Sequence, residues 1–301
     1  MDARRTPTSA STACGSVTDV AAPDASLEKR RIFRVLHGAG CFVLPNSWDV
    51  GTTRYLQHLG FPALATTSSG FAHAQGYADG AMSREAVLAH LREIADGVDV
   101  PVNADFENGY ADDPEGVAES FRLAVATGVA GVSIEDSTGD SDKPLYDFDL
   151  ALARVRAARD AINKAGADTV FTARSEGFIV GRPDLAETIR RLKAFADAGA
   201  DCLYAPGIKT AEQIGAVVQA VAPKPVNFLM SAATNFSVKD LADLGVRRIS
   251  LGGTLARVAW TAVTKAVREI ASEGRFDGLA GTMPNAELNN FFREDAKTRR
   301  G

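Results

Sequence analysis

The sequence is short of the residues that build several whole classes of protein. It has 3 Cys in 301 residues, at 14, 41 and 202 and never as CxxC, so neither a disulfide framework nor a zinc–thiolate site is expected. Its 4 His (37, 58, 73 and 90) show no metal-ligand spacing. Basic residues do not predominate. Against 33 Lys and Arg stand 38 Asp and Glu, a net charge of -5, which excludes nucleic acid and anionic membrane as expected partners. No uncharged apolar run approaches the ~18 residues of a membrane span. Residues 1–26 are small and polar, with no apolar stretch of the kind a secretory signal needs. They read as a flexible N-terminal tail, and the protein as cytoplasmic. No GxGxxG, Walker-type loop or Ser-His-Asp pattern is present.

What is there is the balance of a globular protein, 46% hydrophobic and 24% charged. Leu27 to His37 reads as a first helix. From residue 41 the chain alternates short apolar runs with helical patterns. Eight runs read as strands: CFVLP (41–45), ALATTSS (63–69), PVNADFE (101–107), GVSIED (131–136), TVFTARSE (169–176), CLYAPG (202–207), PVNFLM (225–230) and RISLG (248–252). Most are continuously apolar, as strands covered by helices are. Helices are expected over Pro114–Thr127, after a cap at Asp149, and after a cap at Asp184. The strand interval of ~25–35 residues is that of a βαβ unit.

This pattern predicts one (β/α)8 TIM barrel over residues 27–301, with a doubly wound sheet as the alternative. Polar residues favour the barrel. Ser68 and Ser69, Asp105 and Glu107, Glu135 and Asp136, Arg174 and Glu176, and Asn227 all sit at C-terminal strand ends, which converge only in a closed barrel. A long helix over Leu255–Ser272 follows, then a Gly-rich elbow and a final helix from Ala286 to Arg293. That last helix has no surface left to cover on its own barrel and is assigned to a neighbouring subunit.

The chemistry is densest in NADFENGY (103–110). Asp105 and Glu107, two apart on a strand, point the same way. Buried together, they need a cation, and hard divalent ions take carboxylate oxygens. The alternative is a salt-bridged or helix-capping pair. Glu135 supplies a third acid and Asp79, in the loop after the second strand, a fourth. Arg174 suits a substrate carboxylate; its alternative is an ion pair with Glu135 or Glu176. The turn at Ser68, Ser69 and Gly70 offers hydroxyls and N–H groups to an anion. Lys143 and Tyr146, in the loop DSTGDSDKPLYDF (136–148), are candidate contacts of a lid over the site. Together these residues predict a small carboxylate substrate.

The stretches LPNSWDVGTTRYLQHLGFPALATTSSGFAHAQGYADG, PVNADFENGY, GVAGVSIEDSTG, TVFTARSEGF, AGADCLYAPG and LGVRRISLGG resemble, in order and spacing over roughly residues 31–272, the isocitrate lyase/phosphoenolpyruvate mutase superfamily. The resemblance implies a (β/α)8 barrel that exchanges its eighth helix between paired subunits, in a homotetramer built as a dimer of dimers. It implies Mg2+, with Mn2+ as the other choice, on Asp79, Asp105, Glu107 and Glu135. It implies an anion turn at Ser68–Gly70, a carboxylate-binding Arg174 and a gating loop at 136–147. The departures narrow the activity. Glu107 stands where mutases and isocitrate lyases usually carry Asp. The loop has neither the Cys nor the His of the isocitrate and methylisocitrate lyases. Lys143 is present without the Asn-Ser pair of the mutases. What the resemblance then implies is a Mg2+-dependent carbon–carbon lyase or decarboxylase for a small 2-oxo or 2-hydroxy acid, oxaloacetate-like, working through a metal-stabilised enolate. A phosphoenolpyruvate mutase or phosphonopyruvate hydrolase-type P–C bond enzyme is the alternative, and a non-catalytic 2-oxo-acid binder a third.

Overall fold

The computed structural model describes residues 25–299. The expected tail thus lies outside the described residues, save that Ala25 and Ser26 already open the first helix. In chain order come α1 (Ala25–Gly38), β1 (Phe42–Leu44), β2 (Asn46–Ser47), α2 (Val50–His58), β3 (Leu64–Thr66), α3 (Ser68–Ala74), α4 (Arg84–Asp96), β4 (Val102–Ala104), α5 (Pro114–Val125) and β5 (Gly131–Glu135). There follow α6 (Phe148–Lys164), β6 (Val170–Arg174), α7 (Leu185–Asp197), β7 (Cys202–Tyr204), α8 (Ala211–Val221), β8 (Val226–Leu229), α9 (Val238–Asp243), β9 (Arg248–Ser250), α10 (Thr254–Glu273) and α11 (Asn285–Thr298).

The strands are parallel, in the order β1-β9-β8-β7-β6-β5-β4-β3-β2. β1 and β2 are one strand interrupted at Pro45, which has no N–H to give the ladder. Its carbonyl still accepts from Ala65 N–H at 2.9 Å. Because β1 pairs with β9 and β2 with β3, the sheet closes into an eight-stranded barrel, and the doubly wound alternative falls.

Helix starts follow the cap chemistry. Asp184 accepts from Glu187 N–H as expected, and Asp113 caps α5 ahead of Pro114. Asp149 does not cap α6; Asp147 holds that position, without a side-chain cap bond, and its carboxylate instead takes Lys143 Nζ at 2.8 Å. α1 closes the bottom of the barrel. Lys29 donates to Ala95 O in the last turn of α4 and to Val98 O just beyond it, Arg30 donates to Val125 O at the end of α5, and Phe33 is fully buried among Phe42, Leu44, Ala63 and Val170. A Cβ at Gly131 would stand 2.5 Å from the Phe33 ring, so that strand must begin with glycine. Between the strands and the outer helices, Phe121 of α5 packs edge to face on Phe106 and on Phe171 of β6.

Three expectations are corrected. The strand expected over 101–107 stops at Ala104, and Glu107 lies in a turn at φ 46°. The strand expected over 63–69 stops at Thr66; Thr67 caps α3, so Ser68–Gly70 is the first turn of a helix. The final helix covers its own chain: Phe291 of α11 packs on Tyr55 and His58 of α2 at 5.0 and 4.9 Å, and Asp295 pairs with Arg54 at 3.6 Å. α10 is instead the helix that stands off. Val258, Trp260, Val263 and Val267 are 51–59% exposed along it. Among the described residues, no helix is long and apolar enough to cross a membrane.

Candidate active site

The strand ends surround a cavity of about 210 Å³. Its size suits a small molecule. Asp79, Asp105, Glu135, Arg174, Ser68 and Ser69 all line it, as the sequence predicts.

Arg174 is the centre of the arrangement. Its Nη1 lies 2.9 Å from Asp105 and 2.8 Å from Glu135, and its Nε lies 2.7 Å from Glu176. The β5–β6 register sets Glu135 directly beside it. The guanidinium also sits 4.8 Å over the Tyr204 ring. Each acid is held from behind. Asp105 accepts Ser68 N–H at 3.0 Å, and Glu135 accepts the Ser137 hydroxyl at 2.9 Å. Glu176 donates its own N–H to Asp136, at 2.7 Å. Asp136 faces away from the cavity onto Arg191, as strand alternation requires.

The charges do not balance. Four carboxyls (Asp79, Asp105, Glu135, Glu176) and two guanidiniums (Arg174, Arg248) line the cavity, a formal excess of two negative charges with every acid ionised, which the raised carboxyls relieve by holding protons. Burial pushes the Glu176 carboxyl up to about 8 despite Arg174. It also raises Glu135, and it raises Asp79 with the neighbouring Asp105 adding to the effect. The surrounding acids and burial outweigh each other differently at Arg174: burial opposes its charge, but Glu135, Glu176 and Asp105 hold it protonated well above the ordinary range.

Glu107 is beside the cavity rather than in its wall. Its carboxylate accepts the Tyr110 hydroxyl at 2.8 Å and lies next to Gly80, where a Cβ would be 3.9 Å from Oε2. Burial lifts it to about 7, with Asp105, Glu135 and Asp79 contributing. Glu107 therefore shares the electrostatics of the cluster without the shared strand face that the spacing predicted. Two amides of the expected anion turn are engaged within the protein: Ser68 N–H on Asp105, and Gly70 N–H on Thr67 Oγ1 at 3.3 Å.

Lys143 and Tyr146 are not brought to the cavity. Lys143 is exposed and paired with Asp147. Tyr146 is buried behind the wall, donating to Asp112 at 2.5 Å and accepting from Asn108 at 3.2 Å, with Arg154 over its ring at 3.7 Å. The reason is its neighbour: Arg154 binds the carbonyls of Asn108, Ala111 and Asp112, so the loop's end is fastened to the turn after Glu107. Conversely, Asn46, Tyr204, Arg248 and Ser250 line the cavity although the sequence reading singled none of them out. The available signal was polarity inside apolar strands, as in RRIS.

Among the described residues, no three His, Cys, Asp or Glu side chains gather at metal-ligand distances. Asp105 and Glu135 are turned onto the Arg174 cation instead. The donor set nevertheless fits a hard divalent ion: all-oxygen, with Asp79, Asp105, Glu107 and Glu135 within mutual electrostatic reach.

The sequence pattern of the phosphoenolpyruvate phosphomutase family matches residues 33–271. An uncharacterised protein of Mycobacterium tuberculosis is 31% identical over 258 residues, 85% of this chain and 94% of its own. An oxaloacetate decarboxylase of Paraburkholderia xenovorans is 29% identical over 242 residues, 74% of each chain. Among solved structures, a Burkholderia cenocepacia protein provisionally assigned as a lyase/mutase superposes with a TM-score of 0.86 at 44% identity, over 89% of this chain and 96% of that one.

Proposed function

The chain belongs to the phosphoenolpyruvate mutase/isocitrate lyase superfamily, and within it we propose a divalent-cation-dependent carbon–carbon lyase or decarboxylase for a small 2-oxo or 2-hydroxy acid of the oxaloacetate type. The observation that carries this reading is the gathering of Asp79, Asp105, Glu135 and Glu176 around Arg174 in one cavity of about 210 Å³ at the strand ends. Asp105, Glu135, Asp79 and Glu107 would hold Mg2+, or Mn2+, directly or through waters. When bound, the ion supplies positive charge to stabilise the oxygen on which an enolate's charge develops.

The chain's own groups do the rest. Arg174 is the carboxylate-binding group, its fork oriented by Glu176 and the Tyr204 ring. Ser69 lines the pocket beside Gly253, where a Cβ would stand 2.5 Å from its hydroxyl, so substrate meets a backbone-walled corner there. No Cys or His stands in the 136–148 loop to protonate a lyase product, and the Tyr146 hydroxyl is engaged with Asp112 and Asn108. The proton then comes from solvent at the open end of the cavity or from a cluster carboxyl that burial keeps protonated, such as Glu176. A decarboxylation suits such a site, since departing CO2 needs no acid.

The exposed Val258, Trp260, Val263 and Val267 on α10 support, as part of the same reading, exchange of that helix between paired subunits. The test of the activity is pyruvate release from oxaloacetate at fixed Mg2+, corrected for the metal's own catalysis, with phosphonopyruvate as the parallel substrate followed by phosphorus NMR. Release that EDTA abolishes supports the reading. Turnover of phosphonopyruvate alone replaces it with P–C bond chemistry. Saturable binding of both acids without turnover makes the protein a binder.

A further inference from the structure

Arg248 is a cation buried without an acid. Its side chain is only 2% exposed, yet among the described residues no carboxylate pairs with it. Every partner is neutral. Nε donates to Asn227 Oδ1 at 2.8 Å, Nη2 to Thr172 Oγ1 at 3.1 Å, and Nη1 to His37 Nε2 at 3.3 Å and Asn103 Oδ1 at 3.5 Å. A guanidinium has five N–H groups, and one on Nη2 is left over. The residue lines the same cavity as Arg174.

Its height in the barrel follows from its partners. Thr172 is two residues below Arg174 on β6, and Asn103 two below Asp105, so the Arg248 guanidinium lies in the layer beneath the one that Arg174 and Asp105 occupy. A polar chain joins the two levels. Asn227 Nδ2 donates to Ser250 Oγ at 2.8 Å, Ser250 Oγ donates to Tyr204 Oη at 3.3 Å, and the Tyr204 ring underlies Arg174. Burying a charge among neutral dipoles is costly, and an apolar side chain would fill the barrel without that cost. The cost is offset if an anion completes the site.

We propose that Arg248 is a second anion-binding residue of the cavity, at its floor, and that it selects ligands carrying two negative groups: a small dicarboxylate held between Arg174 above and Arg248 below. This rests on the proposed function for its small-acid class and deepens it by naming Arg248 as the group that receives the second carboxylate of such an acid.

Equilibrium binding of malonate and of acetate to the full chain, with and without Mg2+, tests it. Arg248→Met keeps the bulk and removes the charge. It is expected to weaken malonate binding about 10- to 100-fold, the range for one hydrogen bond to a charged group, and to leave acetate within about threefold, with Arg248→Lys intermediate. A structural plug would instead lose both ligands together or neither, and either result overturns the proposal, as does a wild type without saturable malonate binding. Should Arg248→Met fail to fold, Asn227→Asp sets a carboxylate on Nε and neutralises the cation in place. Malonate affinity must then fall at least about tenfold in a stably folded protein; unchanged affinity overturns the proposal. Binding is read without turnover. Failure of every 2-oxo acid to be cleaved would therefore sink the lyase reading alone, and cleavage with malonate binding unmoved by Arg248→Met would sink this inference alone.

Discussion

Replacing His37 by Gln probes the barrel floor through the pH dependence of stability. The His37 Nδ1 lies 2.7 Å from Phe33 O, which must accept, so the proton is on Nδ1 and Nε2 accepts from Arg248. Burial first, and the Arg248 charge second, push the imidazole down from 6.5 to about 3. The folded protein therefore keeps His37 neutral where the unfolded chain protonates it. The stability that depends on this neutrality is complete above 6.5 and drains away as pH falls toward 3. Between about pH 7.5 and 5 the loss is about 2 kcal/mol, at ~1.36 kcal/mol per unit. Glu107 and Glu176, lifted to about 7 and 8, act with opposite sign over the same window and stabilise the fold as pH falls. They are common to both proteins and cancel in the difference. Gln retains an acceptor but does not titrate. Urea unfolding across this range should show wild type losing about 2 kcal/mol relative to His37→Gln. Parallel curves would refute the neutral-acceptor arrangement under Arg248.

Other consequences are as direct. Gly70→Ala sets a Cβ 2.5 Å from Thr67 Cγ2 and 3.2 Å from both Ala256 and Trp48, and should cost about 1–3 kcal/mol in unfolding with loss of ligand binding at the turn. A variant as stable as wild type would show that α3 shifts freely. Tyr146→Phe removes the bonds to Asp112 and Asn108, and should cost about 1 kcal/mol while pyruvate release stays within about threefold; a hundredfold fall would return the hydroxyl to the reaction. Val263→Glu, in the middle of the exposed row on α10, should lower the mass seen by light scattering, and an unchanged mass would remove α10 from the interface.

The barrel was legible because its signals are local and repeated. Continuous apolar runs give buried parallel strands, Asp184 gives a helix start, and the polar strand ends fall around one mouth. Backbone irregularity was not legible. Nothing in the spacing of Asp105 and Glu107 shows that the chain enters a left-handed turn at Glu107, because a strand and a turn can carry the same two acids. Thr67 looks like strand until its hydroxyl is seen capping α3. Tyr146 reads as a lid residue, yet Arg154, two turns into the helix that the loop leads into, decides where it goes. Arg248 was passed over because its meaning lies in what it lacks, a carboxylate, and that is visible only once its neighbours are known. Long-range partners fix the chemistry of the floor, and one strand's sequence does not contain them.

The account turns on whether the acids take a divalent ion from the grip of Arg174. Calorimetric titration of Mg2+ into metal-free protein with oxalate present should give one saturable site in the wild type, lost in Asp105→Asn, whose carboxylate now holds both Arg174 and Ser68. Absence of heat in the wild type, or an isotherm that Asp105→Asn leaves unchanged, would contradict it.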